Sequence, residues 1–293
     1  IRFVLAALVS FRGLFVVDIA GPDDAPRRLP IDHWREMTQG ELHAADFTGA
    51  AAQLERYGVT WLADALPIDQ CDLLREYLVE QRRIAPAELL GNIHANRRRF
   101  DLPLTLDAVV GPAVRAAGRR LAGLIERLTG AGAAVVELSS LTSMPGAKAQ
   151  VEHPDAQFGD ATTARLYTLF FSLDDITDDM GPLAVWPATH RSRFFDHEEL
   201  KHEVLAPERE VRLCLPKGAV AIMDARTWHR GTANRSDRPR PVLYLSVLGE
   251  GEPPRGPTYT LMPDFKDRLR FADLLADAMP LATGSPPDPS TRG

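Results

Sequence analysis

The sequence predicts a mainly β fold, a jelly roll with flanking helices, and three observations point to it. Short apolar runs of strand length crowd the second half of the chain, and glycine and proline punctuate them. Nothing alternates strand with helix as a parallel βαβ sheet would. At 293 residues the chain fits one large domain, since sandwich and barrel domains often exceed 200 residues.

The elements follow in chain order. Residues 3–10 form an apolar run, but Arg12 and Asp18 follow closely and no small-x-small cleavage site appears. A membrane span is therefore not expected, while a targeting segment stays open beside the default, a cytoplasmic location. Proline and charge between Gly21 and Pro30 read as a linker. Residues 1–45 are thus assigned to an N-terminal extension and linker, 46–280 to a single domain and 281–293 to a disordered tail. Within the domain, Val114, Ala117, Leu121, Leu124, Ile125 and Leu128 recur at helical spacing over Pro112 to Leu128, and Gly130 and Gly132 follow. That helix should pack outside a sheet. Strands are expected at Ala134–Met144, Arg165–Leu173, Leu183–Trp186, Val211–Leu215, Ala219–Met223 and Pro241–Leu248, with a terminal helix over Pro263–Met279.

Composition excludes some partners. Lysine and arginine number 34 against 40 acidic residues, a net charge of −6, so no basic footprint suggests nucleic acid or an anionic membrane surface. The two cysteines, Cys71 in an expected helix and Cys214 in an expected strand, offer neither metal spacing nor a disulfide framework. A reducing compartment is the default reading.

The chemistry concentrates in four residues. His153 and Asp155 flank Pro154, and in an extended strand residues two apart project to the same side, so both can reach one ion. His229 stands just past the apolar run Ala219 to Met223 and supplies a third ligand. Two imidazoles and one carboxylate on one side of a metal leave its other positions open, the arrangement of non-haem Fe(II) oxygenases. Taken alone, His-x-Asp is a weak signal in a chain with 8 histidines and 40 acidic residues. Arg240 adds to it by opening a run in which Val242, Tyr244 and Ser246 share its face while Leu243, Leu245 and Val247 take the other. A guanidinium in a cavity wall suits a carboxylate, because its planar fork bonds both oxygens. The alternative is a solvated loop charge, as for Arg235 and Arg238.

These residues carry a resemblance. His153-x-Asp155, then Gly181-Pro182-Leu183 with Pro187-Ala188-Thr189-His190, then Lys217-Gly218, His229, Asn234 and Arg240 resemble the phytanoyl-CoA dioxygenase family of Fe(II)/2-oxoglutarate oxygenases, from about Phe47 to Val247. Leu54 to Leu62, leading into Cys71 to Arg75, resembles the family's opening of helix, short strand and helix. Ala188 departs from it, standing where the family commonly has glycine, and nothing resembles an acyl-CoA pocket.

The resemblance implies a double-stranded β-helix, or cupin-like jelly-roll, core. It implies His153, Asp155 and His229 on Fe(II), and Arg240 on the distal carboxylate of 2-oxoglutarate. O2 would be the oxidant, with ascorbate an optional addition. It also implies hydroxylation of a C–H bond in a small organic or lipid-like substrate with release of succinate and CO2; related halogenases lack the carboxylate that Asp155 supplies. Charge agrees with that assignment. The ion brings two positive charges, Asp155 one negative and the dicarboxylate two, so a poorly solvated barrel lacks one positive charge, which Arg240 supplies. Gly231, Thr232 and Ser236 offer further donors or merely shape a turn. Two rivals stay open: a cupin-like metalloenzyme that uses no 2-oxoglutarate, and a non-catalytic jelly-roll binding module. Oligomeric state is unassigned.

Other residues carry weaker readings. His197 and His202 are five apart, about 140° around a helix, and so cannot share a face. His190 reads as a structural hydrogen bond in its turn, and His33, His43 and His94 lack partners at ligand spacing. Arg97, Arg98 and Arg99 read as a solvated face, with an anionic substrate contact the alternative. Lys148, Gln150, Tyr167, Thr168 and Phe170 are pocket candidates, and parity allows only one of Tyr167 and Phe170 to face in. Trp228 reads equally as core aromatic or substrate wall.

Overall fold

A computed structural model of the chain describes residues 37–85, 98–156, 166–191, 204–250 and 260–277. The apolar run 3–10, the linker 21–30, His33, His94, Arg97, the segment 197–202 and the tail 281–293 lie outside the described residues.

Helix comes first. Helix α1, Phe47–Tyr57, starts where the Asp46 carboxylate accepts the Gly49 N–H at 2.7 Å, and it ends at Gly58, which takes the left-handed conformation at φ 74°. Strand β1, Val59–Leu62, and helix α2, Ile68–Ile84, follow in the order the resemblance implied. Strand β2, Arg99–Pro103, precedes helix α3, Val110–Thr129, whose first turn is held by Asp107 accepting the Val109 and Val110 N–H groups. The remaining strands are β3 (Ala134–Ser143), β4 (Leu166–Ser172), β5 (Leu183–Val185), β6 (Val211–Leu213), β7 (Val220–Asp224), β8 (His229–Gly231) and β9 (Arg240–Leu248).

These strands form two antiparallel sheets, one of six strands in the order β1-β7-β4-β9-β3-β2 and one of three in the order β6-β5-β8. The two pack as a jelly roll, and the period-two pattern of the large sheet explains why. Leu138, Leu169, Phe171, Ile222, Leu243, Leu245 and Val247 point outward into one apolar core with Leu54, Leu74, Leu78, Leu121 and Ile125 of the three helices. Arg240, Val242, Tyr244, Thr168 and Phe170 point inward and line a cavity between the sheets. Leucines on one face and mixed polar groups on the other fix the register, because a one-residue slip would bury the charges under the helices. At the β1 and β7 end a second apolar cluster, with Val59, Ala221 and Met223 against Val185, Val211 and Leu213, closes the two sheets on each other.

Four expectations need correction. Pro263–Met279 is not one helix: short 3-10 turns occupy Pro263–Phe265 and Phe271–Leu275. Asp267 turns left-handed at φ 60°, and the chain then pairs with the start of β3 through Val135 N–H to Leu269 O and Phe271 N–H to Ala133 O. Phe265, Leu269, Phe271 and Leu274 still reach the core, so burial alone produced the apolar spacing that looked helical. Cys214 lies one residue past β6, where Gln39 holds its backbone on both sides. Arg99 is a buried strand residue rather than part of a solvated face. Residues 38–44, assigned from sequence to the N-terminal extension, lie against the sheet, with Leu42 buried and Ala44 N–H donating to Trp61 O.

Candidate active site

Backbone pairing brings the three expected ligands together. His153 and His229 exchange both N–H···O bonds at 3.0 Å as an isolated antiparallel bridge, and the Asp155 N–H donates to Ala225 O at 2.8 Å. Pro154 leaves its own position without a donor, which an edge tolerates. The His-x-Asp segment is thereby zipped onto the chain entering β8, whose other edge pairs with β5. A brace holds that entry from behind: Trp228 N–H donates to Thr189 Oγ1, Thr227 Oγ1 donates to Gly58 O, and His190 Nε2 bonds Glu55 O. His190 is thus structural, as expected. Trp228 is a core aromatic, packed with Trp186 and Val204.

One ligand atom from each of His153, Asp155 and His229 lies within 4.8 Å of the other two. The Nε2 atoms of both histidines face Asp155 Oδ1, at 3.9 Å from His153 and 3.6 Å from His229. Each ring points its Nδ1 at a backbone carbonyl two residues back, Val151 O at 2.8 Å and Thr227 O at 3.0 Å. Those carbonyls can only accept, so Nδ1 carries the proton and both Nε2 lone pairs are left for the site. Burial lowers the His229 pKa, with Asp155 opposing, and keeps the imidazole in the neutral form that a metal requires. Neutral nitrogen donors plus one carboxylate, with a cavity in front, fit a divalent ion with open positions.

The cavity has a volume of about 660 Å³ and is lined from both sheets. Arg240 is 5% exposed, and its Nε donates to Met180 O at 3.2 Å. Burial, with the Arg99 guanidinium a second cause, pushes its pKa down to about 9. A buried cation without a carboxylate partner is unstable unless an anion joins it. Arg99 sits in the same row, since it pairs with Ser143 and Ser143 pairs with Arg240. It donates to Lys148 O and Thr232 O, tying both segments to β2.

Of the pocket candidates, Gln150, Thr168 and Phe170 line the cavity, while Tyr167 turns into the helix-covered core and Lys148 is exposed. The Gly231 N–H donates to Gln150 Oε1, Thr232 Oγ1 to Pro182 O, and Ser236 Oγ to Asn234 Oδ1, so these three donors shape the loop after β8. His43 rests against the Trp61 ring, among residues that do not line the cavity. Sequence reasoning missed Asp101, Glu137 and Thr260 in the cavity wall. Asp101 was legible in principle, two residues from Arg99 in a short run closed by Pro103.

The phytanoyl-CoA dioxygenase (PhyH) family model matches residues 55–242. Among solved structures, the epimerase SnoN in complex with Fe3+, alpha ketoglutarate and nogalamycin RO is 22% identical at a TM-score of 0.54, covering 82% of this chain and 92% of that one. The non-heme alpha ketoglutarate dependent carbocyclase SnoK from nogalamycin biosynthesis is 17% identical at a TM-score of 0.55, covering 76% and 90%. Both likenesses are of fold.

Proposed function

Because this chain belongs to the phytanoyl-CoA dioxygenase family, we propose that it is an Fe(II)- and 2-oxoglutarate-dependent dioxygenase that hydroxylates a C–H bond of a small organic substrate. The observation that carries the reading is the pair of Nδ1-anchored histidines facing one carboxylate, with a buried guanidinium on the wall of the same cavity. His153, Asp155 and His229 would hold the iron. When bound, iron supplies the oxidation of the C–H bond by O2, coupled to conversion of 2-oxoglutarate into succinate and CO2.

The chain's own residues do the rest. The carbonyls of Val151 and Thr227 keep the imidazole tautomers fixed. Arg240 holds the distal carboxylate and supplies the positive charge that the ion, Asp155 and the dicarboxylate lack between them. Apolar wall residues such as Leu166, Leu183 and Val242 limit water around the reacting bond. A cupin-like reaction without 2-oxoglutarate would have no use for a buried cation at Arg240, and a pure binding module would have none for two imidazoles held with Nε2 free.

The experiment is succinate formation from 2-oxoglutarate in air with Fe(II), scanned over a library of small organic compounds. Succinate is expected in the native chain and absent in both His153→Ala and Asp155→Ala. Succinate that persists in both variants overturns the proposal.

A further inference from the structure

The inner wall of the large sheet separates its charges. Arg99, Ser143 and Arg240 form one row across β2, β3 and β9, and Glu137, Ser246 and Thr168 form another across β3, β9 and β4. Six residue steps along β9, from Arg240 to Ser246, separate the two rows, about 20 Å at the rise of a β-strand. The guanidinium row is where a dicarboxylate would be held. Glu137 belongs to the second row, and Asp101, one same-face position from Arg99 on β2, reaches with its carboxylate to the Ser139 and Tyr244 hydroxyls, so both acids face the cavity on that side.

Backbone geometry places Glu137, and hydroxyl donors hold Asp101. The register of β3 on β9 shifts between Val135 and Glu137, a bulge that sends Val135 into the helix-covered core yet turns Glu137 inward. Bulges beside sites often re-aim one side chain in this way. Asp101 accepts from the hydroxyls of Tyr244, at 2.9 and 3.0 Å, of Thr260, at 2.9 Å, and of Ser139. Glu137 accepts from Ser246 Oγ and from the Thr260 N–H at 3.3 Å. Hydroxyl and amide donors orient these oxygens, and among the described residues neither acid has an ion-pair partner. Beside them stand the Phe170 and Tyr244 rings, with centroids 6.1 Å apart, and aromatic faces attract cations.

We propose that this end of the cavity recognises a cationic amine on the substrate, held by Asp101 and Glu137 against the Phe170 and Tyr244 rings. The inference rests on the reading of His153, Asp155 and His229 as the reacting centre, and it assigns that centre an amine-bearing substrate class. Burial makes charge on Glu137 costly and holds a proton there, and an ammonium drawn to Asp101 beside it offsets that cost. A neutral or anionic substrate would leave Glu137 protonated.

The test is calorimetric titration of the full chain with benzylamine and with its neutral isostere benzyl alcohol. It is run both with Fe(II) and 2-oxoglutarate under anaerobic conditions and without metal. Benzylamine is expected to bind at least about tenfold more tightly than the alcohol in both settings, as a charge-assisted contact in a recessed site implies. Asp101→Asn and Glu137→Gln, each checked for native circular dichroism, should each reduce that preference. Equal affinities, tighter binding of the alcohol, no binding of either probe, or a preference unchanged in both variants overturns the proposal. The metal-free titration separates this from the iron reading, since failure there leaves succinate formation untouched.

Discussion

Replacing Arg240 by Met should stabilise the ligand-free protein and cripple its use of 2-oxoglutarate, two effects of opposite sign from one substitution. Arg240 is buried, and its pKa falls from 12.5 to about 9, chiefly through burial. At about 1.4 kcal/mol per pH unit, the charged guanidinium opposes folding by up to about 5 kcal/mol at neutral pH. Met fills similar volume without the charge but leaves Met180 O without the Nε donor, a cost of about 1–3 kcal/mol. The net gain is therefore about 2–4 kcal/mol, and at roughly 2–4 °C per kcal/mol in a domain this size the Tm should rise by about 5 °C or more. Loss of one partner from a buried ion pair costs about 2–5 kcal/mol, so the 2-oxoglutarate requirement should rise at least about 30-fold. The assay is thermal unfolding with and without Fe(II) and 2-oxoglutarate, beside the KM for 2-oxoglutarate. A lower Tm in Arg240→Met together with an unchanged KM would remove Arg240 from the site.

Other perturbations give independent checks. Glu137 has a pKa raised from 4.5 to about 8, mainly by burial, so between those values the folded state keeps a proton that the unfolded chain has lost. Its contribution is fully present below 4.5 and falls by about 1.4 kcal/mol per unit as pH rises to 8; Glu137→Gln should flatten that stretch of the Tm profile, and parallel profiles for the two chains would contradict the assignment. Ala188 sits at φ 68°, a left-handed conformation that costs an L-residue about 1–2 kcal/mol. Ala188→Gly relieves this at an entropic cost of about 0.5–1 kcal/mol and should raise the Tm by a degree or two, whereas a fall would mean the strain is absent. Gly58, at φ 74°, has no room for a side chain, because a Cβ there would meet Thr227 Oγ1 at 2.4 Å and His190 Nδ1 at 2.5 Å. Gly58→Ala should destabilise by about 2 kcal/mol or more and loosen the brace behind His229, readable by denaturant unfolding; a change under about 0.5 kcal/mol would refute that crowding.

The parts of this molecule that sequence made legible are those governed by short-range rules. Strand alternation placed Arg240, Val242 and Tyr244 on one face and Leu243, Leu245 and Val247 on the other, and the sheet obeys. The parity argument for Tyr167 and Phe170 also holds, with Phe170 facing in. What was illegible depended on pairing across the chain. Arg99 looked like part of a solvated basic run because the burial of β2 comes from its partner β3, more than forty residues later. Glu137 sits in an apolar run, and only the bulge in β3 where it pairs with β9 turns it toward the cavity. The segment Pro263–Met279 showed helical spacing because its apolar residues must reach the core, yet its backbone hydrogen bonds go to the start of β3.

The most direct measurement is an anaerobic visible spectrum of the full chain as Fe(II) and then 2-oxoglutarate are added. The account predicts a broad charge-transfer band that requires both additions, is missing in His153→Ala and needs far more 2-oxoglutarate in Arg240→Met. Confirmed metal occupancy with no band after 2-oxoglutarate would contradict it.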